Sequence, residues 1–426
     1  MGASEPGFDR PQPQDLDKCV HCGLCLNACP TYRELGVEMD SPRGRIYQMV
    51  QVSTGQAQID DSYVEHLDLC LACRACETAC PSGVPYGRLI EAARAEIASV
   101  RPRPWLMRMA FRHLLPSRFR LQVVGWLLWV YQNCGLQTMA RKLGLIPASL
   151  RAAEALQPDM QRPFFFSSYG KVFPPEGERR YRVAFLGGCI ANLAFARLNE
   201  ATVYVLQKNG CEVHVPASQT CCGALHVHAG LRDEGRELAR KNIDALVDGG
   251  FDAILCNAGG CGSTLKEYDE LLEHDPQYSS RAARFKKLMK DVNEFLNSIE
   301  LNRNLGPVPW RVTYQDSCHL AHGQKVRVAP RKLLQSIPDL ELVEMQNSDL
   351  CCGSAGIYNI LHTDLASQLL SKKMESIKAT DTKVIVSSNP GCMLQLRAGV
   401  TERNTKQEVK HVVELLAFSY QNYSSK

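Results

Sequence analysis

Long hydrophobic runs are missing from this sequence. The longest, Val123 to Tyr131, has nine residues, far short of the roughly 20 that a membrane-spanning helix needs. The opening Met1-Gly2-Ala3-Ser4-Glu5-Pro6 has no apolar signal core, and Pro6 stands where a myristoylation pattern wants Ser or Thr. We therefore expect a chain of the reducing cytosol. No G-x-G-x-x-G follows a strand-like run, no phosphate-binding loop occurs, and no nucleophile-base signature stands out. The chain is thus not expected to bind flavin or nicotinamide by itself. An excess of one charge is also lacking. Lys and Arg number 49 against 45 Asp and Glu, a formal +4, so nucleic acid is not an expected partner. With 45% hydrophobic and 22% charged residues, disorder and collagen-like composition are excluded as well.

Cysteine is what the sequence has in excess, 19 in 426 residues. A disulfide framework is not expected in a reducing compartment, so clustered cysteines read as metal ligands or redox groups. Eight fall in two blocks, Cys19-x2-Cys22-x2-Cys25-x3-Cys29-Pro30 and Cys70-x2-Cys73-x2-Cys76-x3-Cys80-Pro81. This is the bacterial ferredoxin run for a [4Fe-4S] cluster, present twice. Three thiolates on one tight turn reach three irons of a cube, and the fourth, beside the proline, serves the other cluster. The expected sets are Cys19, Cys22, Cys25 and Cys80 for one cluster, and Cys70, Cys73, Cys76 and Cys29 for the second. Two zinc sites are the alternative, but two-site zinc domains usually lack this run. Helix-forming stretches between the blocks, Arg45 to Val52 and Tyr63 to Leu69, predict a helical ferredoxin-like domain over residues 1–100.

Residues 101–180 read as a helical linker, opened by Arg101-Pro102-Arg103-Pro104 and closed by a Pro- and Phe-rich loop. Its segment Trp105 to Tyr131 mixes Arg with Trp, Phe and Leu. That mixture suits a membrane surface or a partner subunit, the alternative being an ordinary interlobe helix pair.

From Tyr181 onward the sequence repeats itself. Strand-like Val183–Leu186 runs into Cys189, and Arg311–Tyr314 into Cys318. Short strands follow, Glu212–Val215 and Glu341–Met345, then Cys221-Cys222-Gly223 and Cys351-Cys352-Gly353. Helices over Arg232–Val247 and Thr363–Ala379 lead to third strands, from Ala253 and from Val384, that run into tight turns carrying Cys261 and Cys392. Equivalent cysteines are 129, 130 or 131 residues apart. Alternating strands and helices predict parallel sheets with helical crossovers, and cysteines at strand ends lie where open α/β sheets hold ligands. The fold class expected is α+β overall: the helical domain, then two pseudo-symmetric α/β lobes over 181–305 and 306–426. Cys189, Cys221, Cys222 and Cys261, then Cys318, Cys351, Cys352 and Cys392, are the candidate ligands for a further [4Fe-4S] cluster or zinc. Buried apolar cysteine is the bland alternative.

These motifs resemble the cysteine-rich CCG domain, tandem in the heterodisulfide reductase catalytic subunit and in iron-sulfur subunits of glycolate, lactate and glycerol-3-phosphate dehydrogenases. The stretch Asp316-Ser317-Cys318-His319-Leu320-Ala321-His322-Gly323-Gln324-Lys325-Val326, with Asn257-Ala258-Gly259-Gly260-Cys261-Gly262 and Asn389-Pro390-Gly391-Cys392, most resembles glycolate oxidase iron-sulfur subunits. The resemblance implies an electron-transfer subunit, with glycolate oxidised on flavin-binding partner subunits. Electrons would leave for a quinone or another acceptor, and the chain would sit peripherally on the cytoplasmic face of the inner membrane. Iron-sulfur subunits of lactate or glycerol-3-phosphate dehydrogenases are the nearest alternative, then a heterodisulfide-reductase-like thiol catalyst, then a non-catalytic sensor. Heterodisulfide reductases carry a fifth cysteine per lobe, where Ala258 and Asn389 stand here. Cys256 could substitute in the first lobe only.

His319 and His322 are candidate metal ligands, hydrogen-bond donors to cluster sulfur or proton carriers, or else satisfied polar side chains. His226 and His228 are weaker candidates of the same kind. Cys134 and Cys211 are expected to serve packing.

Overall fold

The computed structural model describes residues 9–147, 154 and 157–424. Among the described residues up to 100 there is no strand. Helices Pro30–Leu35, Pro42–Ser53, Asp61–Asp68, Ala75–Ala79 and Tyr86–Val100 carry this part. The sequence sets their starts. Pro30 and Pro42 occupy first-turn positions that need no amide donor, Ser41 Oγ accepts from Gly44 N at 3.0 Å, and Asp60 Oδ1 accepts from Tyr63 N at 2.8 Å. Leu16, Ile46, Met49, Leu67, Leu89 and Ile90 form the core beneath the cysteine turns.

The linker contains helices Trp105–Met109, Arg118–Asn133 and Leu136–Lys142, with one π-turn at Ala110–Leu114. It rests on the first lobe. Leu121 joins that lobe's core, and a Cβ on Gly125 would come within 2.7 Å of Leu193.

Nine strands follow among the described residues: β1 (Val172–Phe173), β2 (Tyr181–Phe185), β3 (Cys211–His214), β4 (Ala253–Cys256), β5 (Met289–Asp291), β6 (Arg311–Gln315), β7 (Glu341–Val343), β8 (Val384–Ser387) and β9 (Glu408–Lys410). They form two sheets, ordered β1-β3-β2-β4-β5 and β7-β6-β8-β9. All neighbours are parallel except β1 with β3. The two-lobed α/β architecture with parallel sheets is thus as the repeat implied. The repeat is also topological, because β3-β2-β4-β5 and β7-β6-β8-β9 share one strand order. The central strands β4 (Ala-Ile-Leu-Cys) and β8 (Val-Ile-Val-Ser) are buried throughout, as parallel strands covered on both faces must be.

A single apolar cluster runs through both lobes, from Val183 and Phe185 to Ile385 and Leu416. The C-terminal helix Val412–Ser424 packs on Ala196–Lys208 of the first lobe, where Tyr420 Oη donates to the Asn302 carbonyl at 2.9 Å. At the seam the Gly259 amide donates to the Ser388 carbonyl at 3.2 Å. His411 is completely buried there, beside the main chain of Asn257 and Ser388.

Burial pushes the His411 imidazole down to about 4 from the ordinary 6.5. Between those values the unfolded chain binds a proton that the folded chain refuses. His411 stabilisation is therefore full above about pH 6.5 and is lost as pH falls, by about 3 kcal/mol once pH reaches 4. Thermal unfolding at pH 7 and at pH 5.5 should show a smaller acid-induced drop in His411→Gln than in the parent. An equal drop in both would contradict this role.

Candidate cluster-binding sites

The two cysteine turns share a backbone device. In the first, His21 and Gly23 have φ of 52° and 82°; in the second, Ala72 and Arg74 have φ of 50° and 63°. Two left-handed residues in each Cys-x2-Cys-x2-Cys run coil the turn tightly around its thiols, a conformation L side chains adopt only when held. In the first turn a Cβ at Gly23 would sit 2.7 Å from Arg43 Nη1. In the second, Arg74 is held by Glu77, Glu267 and Ser263.

Cys19, Cys22, Cys25 and Cys80 line one hollow, with Cys76 in its wall. Cys29, Cys70, Cys73 and Cys76 line a second. The last thiol of each block therefore faces a hollow lined by the other block. Arg45, fully buried, lies at the second hollow. Its Nε donates to the His66 carbonyl at 2.7 Å, its Nη1 to Thr31 Oγ1 at 3.1 Å, and its Nη2 to Asp40 Oδ1 at 3.4 Å. Thr31 Oγ1 lies 3.2 Å from Cys29 Sγ, and Tyr86 Oη lies 3.6 Å from Cys70 Sγ.

In the lobes the three cysteine loops leave the C-terminal ends of β2, β3 and β4, and of β6, β7 and β8. A Cβ at Gly353 would lie 2.5 Å from the Ala366 carbonyl oxygen, so only glycine fits that turn. The two lobes face each other, and all eight candidate lobe cysteines line one cavity of about 280 Å³ between them. The structure thus joins sets that the sequence pattern kept as two sites. Cys189 and Cys221 sulfurs are 3.6 Å apart. Cys256, at the end of β4, touches Cys261. Among the described residues, no three His, Cys, Asp or Glu side chains close on a point that would hold a single metal ion.

The second turn abuts this cavity. Leu71, Cys73 and Ala75 share an apolar cluster with Cys351, Tyr358 and Leu365 of the second lobe. Tyr358 Oη donates to the Leu69 carbonyl at 3.1 Å. Arg94 binds the carbonyls of Leu67 and Cys70 on one side and of His228 on the other.

His319 lines the cavity, with Nε2 2.9 Å from the Ala72 carbonyl oxygen. Burial pushes its pKa down to about 3, so the ring is a neutral donor there. His322 is not in the cavity wall. Its Nδ1 is 2.9 Å from Thr78 Oγ1 and its Nε2 is 3.3 Å from the Asp349 carbonyl oxygen. His228 pairs with Glu91 at 3.0 Å and lies against the His319 ring, whereas His226 Nε2 lies 2.8 Å from the Phe111 carbonyl oxygen. Cys211 is buried in the core, as expected, and Cys134, expected to pack, is exposed at a helix end.

Comparison with known proteins accords with this layout. The model of the 4Fe-4S dicluster domain matches residues 15–84, and the cysteine-rich domain matches 183–266 and 312–397. The linker region of the glycolate oxidase iron-sulfur subunit matches 102–157. The probable glycolate oxidase iron-sulfur subunit of Bacillus subtilis (strain 168) is 41% identical, covering 96% of this chain and 95% of its own. The glycolate oxidase iron-sulfur subunit of Escherichia coli (strain K12) is 34% identical over 94% and 93%. This chain belongs to the glycolate oxidase iron-sulfur subunit family. A subunit of the fumarate reductase (CoM/CoB) of Methanothermobacter marburgensis is a more distant relative, 29% identical over 97% of this chain and 76% of its own.

In this family member the donor sets fit iron-sulfur groups. Burial pushes the Cys73 and Cys76 thiols well above the usual range. Sulfur neighbours and burial do the same to Cys189, Cys351 and Cys392. Such thiols become thiolates only when a multivalent cation supplies compensating charge. Sequence reasoning missed Arg45, Tyr86 and Arg94, whose spacing carries no ligand signal, and read Asn389 only as the place of an absent fifth cysteine. Asn389 Nδ2 donates to Cys392 Sγ at 3.3 Å while its Oδ1 accepts from the Gly260 amide of the other lobe at 3.1 Å.

Arg45 and Asp40 form an ion pair with side chains 1% and 4% exposed. Losing one partner of such a pair costs about 3–5 kcal/mol, because the other charge stays buried alone. Arg45→Met should lower the urea midpoint accordingly, and adding Asp40→Asn should recover part of the loss. A double variant no more stable than the single one would show that the charge of Asp40 is not what Arg45 balances.

Proposed function

We propose that this chain carries electrons from partner flavin subunits, which oxidise glycolate to glyoxylate, through two [4Fe-4S] clusters to an acceptor reached from the interlobe cavity. The observation that carries this reading is the unbroken line of thiols: the first hollow, the second hollow, then Cys73 packed beside Cys351 at the cavity. Cys19, Cys22, Cys25 and Cys80 would hold one cluster, and Cys29, Cys70, Cys73 and Cys76 the other. Eight cysteines around one cavity are twice the number a single tetrahedral zinc takes, which favours a polynuclear iron-sulfur group there. When bound, such clusters accept and release one electron at a time, which divides a two-electron flavin oxidation into single steps.

The residues of this chain supply the setting. Arg45, Thr31 and Tyr86 place a cation and hydroxyl groups beside the second set of thiols. Arg94, Tyr358 and His319 fix the second turn against the lobes. The acceptor would be a quinone or another carrier, with the subunit held peripherally at the cytoplasmic face of the membrane. Substrate choice lies with the partner subunits, so a lactate or glycerol-3-phosphate complex is the same reading with another flavoprotein.

Anaerobically purified chain should contain about twelve irons and no zinc if all three sites hold cubane clusters. About eight irons with stoichiometric zinc would overturn the cluster in the cavity, and fewer than eight irons without zinc would overturn the ferredoxin pair. In the complex, Cys73→Ala should leave glycolate-dependent flavin bleaching intact and abolish reduction of a downstream dye. Dye reduction at the parental rate would remove Cys73 from the path. Absence of any glycolate-dependent bleaching in the parental complex would overturn the substrate.

A further inference from the structure

Residues 101–147 contain eight Arg or Lys and not one Asp or Glu. The same 47 residues carry 11 of the 23 large apolar side chains exposed among the described residues, so the exposed apolar surface is concentrated here. The pattern has helical order. On helix Arg118–Asn133 the outward face bears Phe119, Val123, Trp126 and Leu127, while Leu121 and Gly125 face the lobe. On the next helix, Leu136, Met139 and, just past its end, Leu143 repeat the outward stripe. Phe119 is 74% exposed and Trp105 69%. Amphipathic surface helices normally turn their apolar stripe inward. This linker presents an apolar face on both sides.

Only part of the cationic edge is paired with carboxylates. Arg101 and Arg103 pair with Asp61 and Asp68. Arg108, Arg112, Arg120 and Lys142 are exposed and have no carboxylate partner among the described residues. Arg141 pairs with Glu154 at 2.8 Å. An exposed Trp, Phe and Leu face edged by these four cations without carboxylate partners is complementary to an anionic leaflet. The rings enter the headgroup boundary and the cations reach the phosphates. Among the described residues no helix is long and apolar enough to cross a bilayer, so contact of this kind would lie along the surface. Met107 and Arg103 of the same segment line the interlobe cavity, together with Leu361, itself 55% exposed.

We propose that residues 105–145 form a docking surface for an anionic lipid bilayer, which holds the mouth of the interlobe cavity at the membrane. The part concerning the cavity rests on the electron-transfer reading above; lipid binding itself does not. The test is co-sedimentation of the iron-loaded full chain with phosphatidylcholine vesicles, with and without phosphatidylglycerol. Binding should be at least tenfold tighter to the anionic vesicles and should weaken as salt rises. Trp126→Glu with Leu127→Glu should abolish it. Arg108→Glu with Arg112→Glu should remove the preference for phosphatidylglycerol, again by tenfold or more. Unchanged iron content and visible spectrum would show that these surface variants are folded. No binding to anionic vesicles, or equal binding by parent and variants, overturns the proposal. So does release of the flavin subunits by the variants with vesicle binding intact, which would make the face a protein interface. Glycolate-dependent dye reduction by the detergent-solubilised complex is measured alongside. Its loss in the parent counts against the electron-transfer reading and leaves the vesicle result standing.

Discussion

The rest of the arrangement depends on the contact between the second cysteine turn and the Cys351 turn of the second lobe. Other pairs, such as Arg88 with Glu273 and Asp9 with Arg236, also join the dicluster domain to the lobes, but they bring no thiols together. At this contact Cys73 and Cys351 share one apolar cluster. Electron transfer needs closeness and dryness, and the contact supplies both through unlike interactions. Arg94 ties four main-chain carbonyls, Tyr358 reaches back to Leu69, and Arg74 crosses to Ser263 of the first lobe. Main-chain carbonyls accept most of these bonds, so the path of the turn is fixed as well as its side chains.

This contact also breaks the symmetry of the repeat. His319 and His322 occupy the positions of Ile190 and Leu193 in the first lobe. The two histidines bond to Ala72 and Thr78 across the domain boundary, whereas Leu193 is buried in the shared apolar cluster and Ile190 packs against it at the cavity wall. The Cys-His-x2-His stretch is therefore where the second lobe grips the second cysteine turn, while the first lobe holds the same domain through pairs such as Glu91 with His228 and Arg74 with Ser263. The chemistry of the stretch suits that task, since a neutral buried imidazole can donate to a carbonyl without bringing a charge. A metal-ligand reading has to compete with both ring nitrogens of His322 and with Nε2 of His319, which already have partners.

What the sequence made legible was whatever repeats or is spaced by covalent geometry. Thiols set three residues apart on one turn must converge wherever that turn is placed, so the ferredoxin runs were readable locally. Central strands buried on both faces leave continuous apolar runs, so β2, β4, β6 and β8 could be found, and the two helices expected over Arg232–Val247 and Thr363–Ala379 end within one residue of that. The strands that were missed have physical reasons. β1, β5 and β9 are two or three residues long and lie at sheet edges, with charged Lys290, Glu408 and Lys410 in them. The common cavity was not legible either, because it arises from how two lobes meet, through contacts such as Gly260 with Asn389, and no local pattern encodes that. Cys134 shows the converse error: a cysteine outside any motif was assigned to packing, and its helix end turned outward.

Equal spacing of thiols does not make the two hollows electrostatically equal. The first has Arg43 at its edge, a solvent-facing guanidinium already paired with Glu38 at 2.6 Å. The second has Arg45, with no exposed surface, paired through a longer 3.4 Å contact to an Asp40 that His66 shares. A charge at a protein-water boundary is screened by solvent and salt, while a buried one acts through a medium of low effective dielectric. Arg45 therefore exerts the stronger and less screened field on its thiols. The interlobe cavity continues the pattern. Lys373, 3% exposed and bonded to the Asn347 and Ser348 carbonyls, lies close enough to Cys351 and Cys352 to feel their charge. The second hollow and the second lobe's paired thiols thus each have a buried cation beside them. That compensation is what allows negatively charged groups to be taken out of water inside an apolar core.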